Sequence, residues 1–319
     1  MKSSDKKNSS DYNSSDDLSL SILIPVHNEE DNVEILYKEI RSSVDPINRP
    51  YEIIFIDDGS LDHTLSVLKE IKRKEKFEKN RNFELRIVSF SKNFGQTAAM
   101  QAGFDLAQGD VLVSLDGDLQ NDPRDIPDLI AKLEEGYDLV CGWRKNRQDK
   151  VLTRKIPSKI ANSLIRRLIG VSIHDLGCSL KAYRSELIKS VKLYSDMHRF
   201  IPVIIAMKGA KITEIAVNHR IRKYGKAKYG LSRTWKVLLD LITLKMIVHF
   251  QHNPLRWFAF FGLFFGMIGF VLGVEAVFLY VIGVHSIVFP TACFLTIFLS
   301  GSLITWGLLA EYFISLEKI

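Results

Sequence analysis

The chain has 319 residues, 46% of them hydrophobic and 25% charged, with a formal net charge of +6. That is enough apolar content for one large or two ordinary domains with a substantial core. The three cysteines, Cys141, Cys178 and Cys293, have neither paired nor metal-ligand spacing and read as ordinary residues of a reducing compartment. The charge is uneven: Val140 to Lys236 holds 23 Lys or Arg against 5 Asp or Glu, whereas between Trp257 and the C-terminus Glu275 stands alone until Glu311. Such a surplus implies an anionic partner, phosphate or an acidic membrane surface. No helix-turn-helix, zinc or RNP-type signature accompanies it, so nucleic acid is not expected.

Residues 1–17, rich in Ser, Asp, Asn and Lys, lack the apolar core of a signal peptide and read as a disordered tail. Leu20-Ser-Ile-Leu-Ile-Pro-Val26 is a nearly continuous apolar strand, suited to a parallel sheet covered on both faces. Val33, Leu36, Tyr37 and Ile40 then fall at helical spacing in a segment ending near Val44. Tyr51 to Asp57 repeats the strand pattern, and Asp62 is placed to cap a helix through about Lys74. A third strand, Leu85 to Phe90, leads through Ser91-Lys-Asn-Phe-Gly-Gln96 into a helix ending at Ala107. The fourth strand begins at Asp110, and a fifth spans Tyr137 to Gly142 after a helix starting near Pro123. Strands alternating with helices at this spacing predict a doubly wound α/β sheet with right-handed crossovers.

The fourth strand ends in Asp116-Gly-Asp118-Leu-Gln120. Gly117 lets the backbone turn, and two carboxylates there offer hard oxygen ligands to a divalent cation holding a diphosphate. Taken alone, the same residues also suit a polar turn after a buried strand. In such sheets ligands bind at the carboxyl ends of the strands. Those ends carry Asn28 and Glu29, Asp57 and Asp58, Lys92 and Asn93, then Asp116 and Asp118, a polar edge four times over, which favours a ligand site. Glycine fingerprints of dinucleotide and P-loop sites are absent, leaving metal and basic side chains to hold phosphate.

Val151 to Gly170 is basic and amphipathic, with Arg154, Lys155, Lys159, Arg166 and Arg167 beside Ile156, Ile160 and Leu164; a membrane-surface helix and a solvated basic face both fit. Arg220 to Gly230 holds five cations and two glycines in eleven residues. This composition suits a clamp over phosphates, as it does a solvent loop. Ser232 to Phe250 reads as an apolar helix with a narrow polar stripe, packed on the domain or lying at a membrane interface. Trp257 to Ile282 and Ile287 to about Phe313 are each long enough to cross a bilayer. Gly262, Gly266, Gly269 and Gly273 fall on one face, suited to close helix contact. Lys and Arg precede Trp257 and are absent from the connection near Gly283, which puts the soluble domain on the cytoplasmic side. Glu275 is expected near an interface or against a helix partner.

The set Pro25-x-x-Asn28-Glu29, Asp57-Asp58-Gly-Ser60, Lys92-Asn-x-Gly95 and Asp116-x-Asp118-x-Gln120 resembles the inverting family 2 glycosyltransferases of Rossmann-like GT-A fold. The length, the two terminal spans and the Arg-rich loop narrow the resemblance to the polyisoprenyl-phosphate glycosyltransferases, the group of dolichol-phosphate mannose synthase and bacterial bactoprenol glucosyltransferases. The resemblance implies a GT-A domain over 18–230, an interfacial helix over 231–255 and two transmembrane helices over 256–319, in a bacterial inner-membrane protein with its catalytic domain in the cytoplasm. It further implies that Pro25, Val26, Asn28, Glu29, Asp57, Asp58, Lys92, Asn93, Gln96, Asp116 and Gly117 hold the nucleotide sugar. Asp116, Asp118 and Gln120 would bind Mg2+ or Mn2+. Arg144, Arg154, Ser158, Arg199, Arg222, Lys226 and Lys228 would meet phosphates, and homo-oligomers, tetramers among them, would be expected.

Two departures stand out. The loop's usual Gly-x-Ser-Lys reads Gly225-Lys-Ala227-Lys228, and the segment His198-Arg199-Phe200 lacks the acidic pair that supplies a base in many family 2 enzymes. A lipid phosphate is already anionic, so positioning, cations and a metal replace the general base that a hydroxyl acceptor needs. Asp116, Asp118 and Arg222 are then the catalytic set. Asp175 is a further carboxylate placed to orient acceptor or sugar, or simply to cap a turn.

The implied reaction is transfer of a hexose, with UDP-glucose as donor, to undecaprenyl or another polyisoprenyl phosphate; GDP-mannose or another nucleotide sugar is the alternative donor. A processive polysaccharide synthase would carry Gln-x-x-Arg-Trp, whereas Gln251 lies two residues too far from Arg256-Trp257. A silent scaffold binding nucleotide sugar would not need Asp116, Asp118 and Gln120 intact.

Overall fold

The computed structural model describes residues 19–75, 82–145, 173–193, 197–221 and 253–317. The expected tail over 1–17, the basic segment 151–170, the helix over 232–250 and the loop from Arg222 to Gly230 lie outside the described residues. The chain divides into two compact units, Met1–Val237 and Leu238–Ile319.

The first unit is a mixed α/β fold. Its described elements run β1 (Leu20–Val26), α1 (Val33–Val44), β2 (Tyr51–Asp57), α2 (Thr64–Glu75), β3 (Phe83–Ser89), α3 (Gln96–Leu106), β4 (Val111–Ser114), α4 (Ile126–Glu134), β5 (Leu139–Trp143), β6 (Lys181–Arg184), α5 (Ser185–Lys189), α6 (Ile201–Met207) and β7 (Ile212–Ala216). Every residue of β2 is buried, and β1 is buried except for Pro25. Strands covered on both faces produce these unbroken apolar runs. Val33, Leu36, Tyr37 and Ile40 of α1 are all buried, as their spacing requires. The Asp62 carboxylate accepts the Thr64 N–H at 3.0 Å, satisfying an orphan donor at the start of α2.

The seven strands lie in the order β3-β2-β1-β4-β6-β5-β7. β1, β2, β3 and β4 are parallel, and β5 is parallel to β7. The sheet is not wholly parallel, however: β6 enters between β4 and β5, antiparallel to both. The fifth strand therefore does not adjoin the fourth, and β6 and β7 are two strands the sequence reading lacked. Val26 lies opposite Asp57, and Asp57 opposite Ser89, so the carboxyl ends of β1, β2 and β3 are level.

The second unit is a helical hairpin, α7 (Pro254–Val281) and α8 (Val288–Glu317), both long and apolar enough to cross a membrane. Their outward surface is strongly apolar, with Phe260, Leu263, Phe270 and Phe298 exposed. A Cβ on Gly262 would stand 2.8 Å from Ile304 Cγ1, and one on Gly269 2.7 Å from Ile297 Cγ1. Ser300 Oγ donates to the Gly262 carbonyl at 2.6 Å across this close contact. The glycine row is thus filled by the chain's own second helix. Glu311 accepts the Leu255 N–H at 3.4 Å in the first turn of α7. Glu275 is exposed, about 9 Å from the end of α7 by helical rise.

Candidate active site

The loops leaving β1, β2 and β3 are tied together by their own acidic and amide side chains. Asn28, held at a φ of 54°, accepts the Leu61 N–H through Oδ1 at 2.8 Å and donates its backbone N–H to Ser60 Oγ at 2.9 Å. Left-handed backbone is a conformation that asparagine tolerates better than most residues. Asp57 accepts the Ser60 N–H and the Ser89 hydroxyl, each at 3.1 Å. The buried Asp58 carboxylate accepts Phe94 N at 2.7 Å and Gly95 N at 2.9 Å, one on each oxygen. It thereby fixes the loop that carries Lys92 and Asn93, both exposed. Glu29 accepts the Asn32 side-chain amide at 2.6 Å and lies at the entry of α1. These buried carboxylates tie together the loops that form the rim of the site.

The Asp116–Gln120 turn sits at the end of β4. Asp116, Asp118 and Gln120 are half-buried, alternating with buried Gly117 and Leu119. Gln96, first residue of α3, donates its Nε2 amide to Asp116 Oδ1 at 2.7 Å. Asp118 Oδ1 accepts the Gln120 N–H at 3.1 Å. Gly117 is needed for close approach: a Cβ there would stand 2.6 Å from Val26 Cγ1. The left-handed residue of the turn is Leu119, φ 60°, with its side chain buried. A branched residue in that region is held only by its surroundings, here the core that its side chain enters.

On the other side of the turn, Arg144 follows β5 and makes a two-pronged pair with Asp175. Nε donates to Oδ2 at 2.7 Å and Nη2 to Oδ1 at 3.0 Å. Burial disfavours the guanidinium charge, but the hydrogen bonds and charge of Asp175 outweigh it, so the Arg144 pKa is raised; Asp116 adds to the same effect. Asp175, expected to orient acceptor or sugar, is thus engaged in holding an arginine.

Beyond the turn, Asn121 bridges His219, and Arg220 N donates to the Gln120 carbonyl at 2.8 Å. The Arg220 guanidinium reaches both Asp122, at 2.7 Å, and Glu39 of α1, at 2.6 Å. Burial pushes the Asp122 carboxyl up, yet hydrogen bonds from Arg124 and Arg220 outweigh it and hold the pKa at about 2. Thr97 Oγ1 and His198 Nδ1 share a 2.7 Å hydrogen bond, joining the start of α3 to the short helix Met197–Phe200 that carries Arg199.

The fold thus gathers Pro25, Val26, Asn28, Glu29, Asp57, Asp58, Lys92, Asn93, Gln96, Asp116, Gly117, Asp118 and Gln120 at one sheet edge, with Arg144 and Asp175 joined beside it. Arg154, Ser158, Arg222, Lys226 and Lys228 lie outside the described residues. The sequence reading missed Arg220 as a clamp on the turn, and it missed Lys181, a buried lysine in β6. Arg220 has no local signal because Glu39 and Asp122 lie far along the chain, and Lys181 has none because its partners are backbone carbonyls.

The residues suit a divalent cation that is completed by its substrate. Among the described residues no group of three or more His, Cys, Asp or Glu side chains could hold a metal unaided. Two half-exposed carboxylates match Mg2+ or Mn2+ sites finished by phosphate and water oxygens.

Residues 21–192 match the family model described as glycosyl transferase family 2. The chain is 45% identical over 262 residues to the dodecaprenyl-phosphate galacturonate synthase of Rhizobium johnstonii, covering 81% of this chain and 74% of that protein. It is 35% identical over 299 residues to the undecaprenyl-phosphate 4-deoxy-4-formamido-L-arabinose transferase of Shewanella sediminis, covering 92% and 86%. Among solved structures, the glucosyl-3-phosphoglycerate synthase of Mycobacterium tuberculosis, solved with phosphoglyceric acid, superimposes with a TM-score of 0.53 at 19% identity, over 71% of this chain and 80% of that one. The mannosyl-3-phosphoglycerate synthase of Rubrobacter xylanophilus gives 0.55 at 14%, over 72% and 74%. These two likenesses concern the fold.

Proposed function

The chain belongs to glycosyltransferase family 2, and from that premise we propose that it transfers a sugar from a nucleotide donor to a polyisoprenyl phosphate at the cytoplasmic face of a bacterial inner membrane, with inversion at the anomeric carbon. The observation that carries this reading is the Asp116–Gln120 turn, two half-exposed carboxylates at the strand ends, with the Arg144 guanidinium close enough to feel the charge of Asp116. The two sequence relatives named above are, by their names, polyprenyl-phosphate sugar enzymes. The apolar hairpin supplies the anchor such an acceptor requires, with Arg256 in its first turn and no Lys or Arg in the connection. In this reading the catalytic unit spans 18–230, an interfacial helix spans 231–255 and the anchor 256–319.

Asp116 and Asp118 would hold Mg2+ or Mn2+, which neutralises the diphosphate and stabilises it as a leaving group. Gln96 keeps the Asp116 carboxylate turned toward its ligand. Asp57, Asp58, Asn28 and the backbone of Pro25 and Val26 form the wall for base and ribose. Arg144 faces the phosphates from the other side, and Arg222, Lys226 and Lys228 are proposed to join it. No side chain need remove a proton, because the acceptor phosphate is already anionic.

Glucose from UDP-glucose is the donor carried by the likeness to the bactoprenol enzymes. Galacturonate is a second reading, favoured by the 45% identity to the Rhizobium enzyme. Full-length protein in detergent with Mg2+, undecaprenyl phosphate and labelled UDP-glucose, UDP-galacturonate, UDP-4-deoxy-4-formamido-arabinose or GDP-mannose tests both. One donor should give a metal-dependent labelled lipid, and absence of product with all donors would overturn the transfer reading.

A further inference from the structure

Lys181 lies in the middle of the sheet, opposite Ser114 of β4 and Cys141 of β5. Only 3% of it is exposed. A buried ammonium is costly unless its protons are taken up, and a buried charge usually has a carboxylate partner. Among the described residues no carboxylate forms an ion pair with Lys181. Its Nζ donates instead to two backbone carbonyls, those of Cys178 and, at 3.5 Å, Leu176.

Those carbonyls belong to the turn Asp175-Leu-Gly-Cys178, which is closed by Cys178 N donating to the Asp175 carbonyl at 3.4 Å. Asp175 leaves the same turn to grip Arg144 through Nε and Nη2. Nη1 of Arg144 has no hydrogen bond to any described residue. The guanidinium is therefore held from one side, with the Nη1 N–H groups left for an anion at the edge where Asp116 sits.

We propose that Lys181 is a positioning residue for the transfer reaction: its buried ammonium locks the 175–178 turn and, through Asp175, fixes the direction in which Arg144 presents its open N–H groups to phosphate. An apolar residue of similar length would fill the same space without desolvating a charge, and it would leave two inward carbonyls without a donor and the turn free to shift. The role rests on the transfer reaction proposed above.

The test uses full-length protein carrying Lys181→Met, Lys181→Arg, Asp175→Asn and the Lys181→Met/Asp175→Asn pair. The first readout is kcat and KM for polyprenyl phosphate; the second, independent of activity, is amide hydrogen exchange at Gly177 and Cys178. Lys181→Met should cut kcat/KM by about 10- to 100-fold, the range typical of residues that orient a ligand through another group. It should also speed exchange in the turn, while Lys181→Arg restores most of both. The double variant should be little worse than Asp175→Asn alone, because both changes release the same arginine. Wild-type kcat/KM and exchange in Lys181→Met would overturn the proposal, as would losses that add in full in the pair. If Lys181→Met does not fold, Lys181→Gln, uncharged and one atom shorter, should show the same changes to a smaller degree, and wild-type kcat/KM and exchange in it would overturn the proposal. Inactivity of the unaltered protein with every donor would count against the transfer reading, and the exchange measurement would still decide whether Lys181 holds the turn.

Discussion

Gln96 Nε2 lies 2.7 Å from Asp116 Oδ1, so the first residue of the helix after β3 orients the first carboxylate after β4. Removing the amide leaves the carboxylate free to rotate away from a metal. Gln96→Ala should raise the Mg2+ concentration for half-maximal activity by about 10-fold, a usual effect of losing an outer hydrogen bond to a ligand. Asp116→Ala or Asp118→Ala should abolish transfer with membrane insertion intact. A Mg2+ titration of Gln96→Ala and transfer assays of the two aspartate variants check this, and an unchanged Mg2+ requirement in Gln96→Ala contradicts the orienting role.

Gly117 and Val26 form a matched pair. Adding a methyl group at 117 forces it onto Val26 Cγ1, 2.6 Å away, and overpacking of this kind costs about 1–3 kcal/mol. Gly117→Ala should lower the melting temperature and displace the metal turn, reducing activity. Adding Val26→Ala makes room, so the double variant should be more stable than Gly117→Ala alone. Thermal melts of the three proteins decide it.

Asp122 makes the first unit acid-sensitive. Its folded pKa of about 2 lies below the ordinary 3.8, so folding favours the ionised form. The stabilisation is complete above pH 3.8 and is lost as pH falls through 2; its size is on the order of 2 kcal/mol. In Asp122→Asn the fall in stability between about pH 4 and 2 should be shallower than in the unaltered protein, measured by denaturant titration across that range.

The hairpin should resist any enlargement of its contact row. Gly262→Val places carbon where Ile304 and the Ser300 carbonyl already lie, driving α7 and α8 apart. The expected outcome is a melting temperature in detergent lowered by several degrees, with Gly301→Val, where a Cβ meets nothing within 4 Å, close to the unaltered value.

Legibility in the sequence followed burial pattern. β1 and β2 are covered on both faces, so their residues are almost all apolar and could be read directly. β6 reads Lys-Ala-Tyr-Arg, and its lysine is buried against carbonyls, a pattern that no alternation rule assigns to an inner strand. β7 is half-buried up to its exposed last residue, Ala216, and carries Glu214 in the middle. The polar strand ends were visible, but the arrangement of their partners was not: Asp175 is 31 residues from Arg144. Gly117 read as a turning residue, whereas the left-handed backbone falls at Leu119 and the glycine serves close packing.

The position of β6 has a consequence for synthesis on the ribosome. β5 hydrogen-bonds to β6 and β7 but not to β4, so a nascent chain that has emerged only as far as Trp143 holds four paired strands and a fifth with nowhere to dock. The exposed edge of β4, which carries the Asp116 turn, stays open until Lys181–Arg184 arrives, and open edges invite mispairing. β1 to β4 can thus assemble early, but the two sides of the active site meet only after about 180 residues have been made.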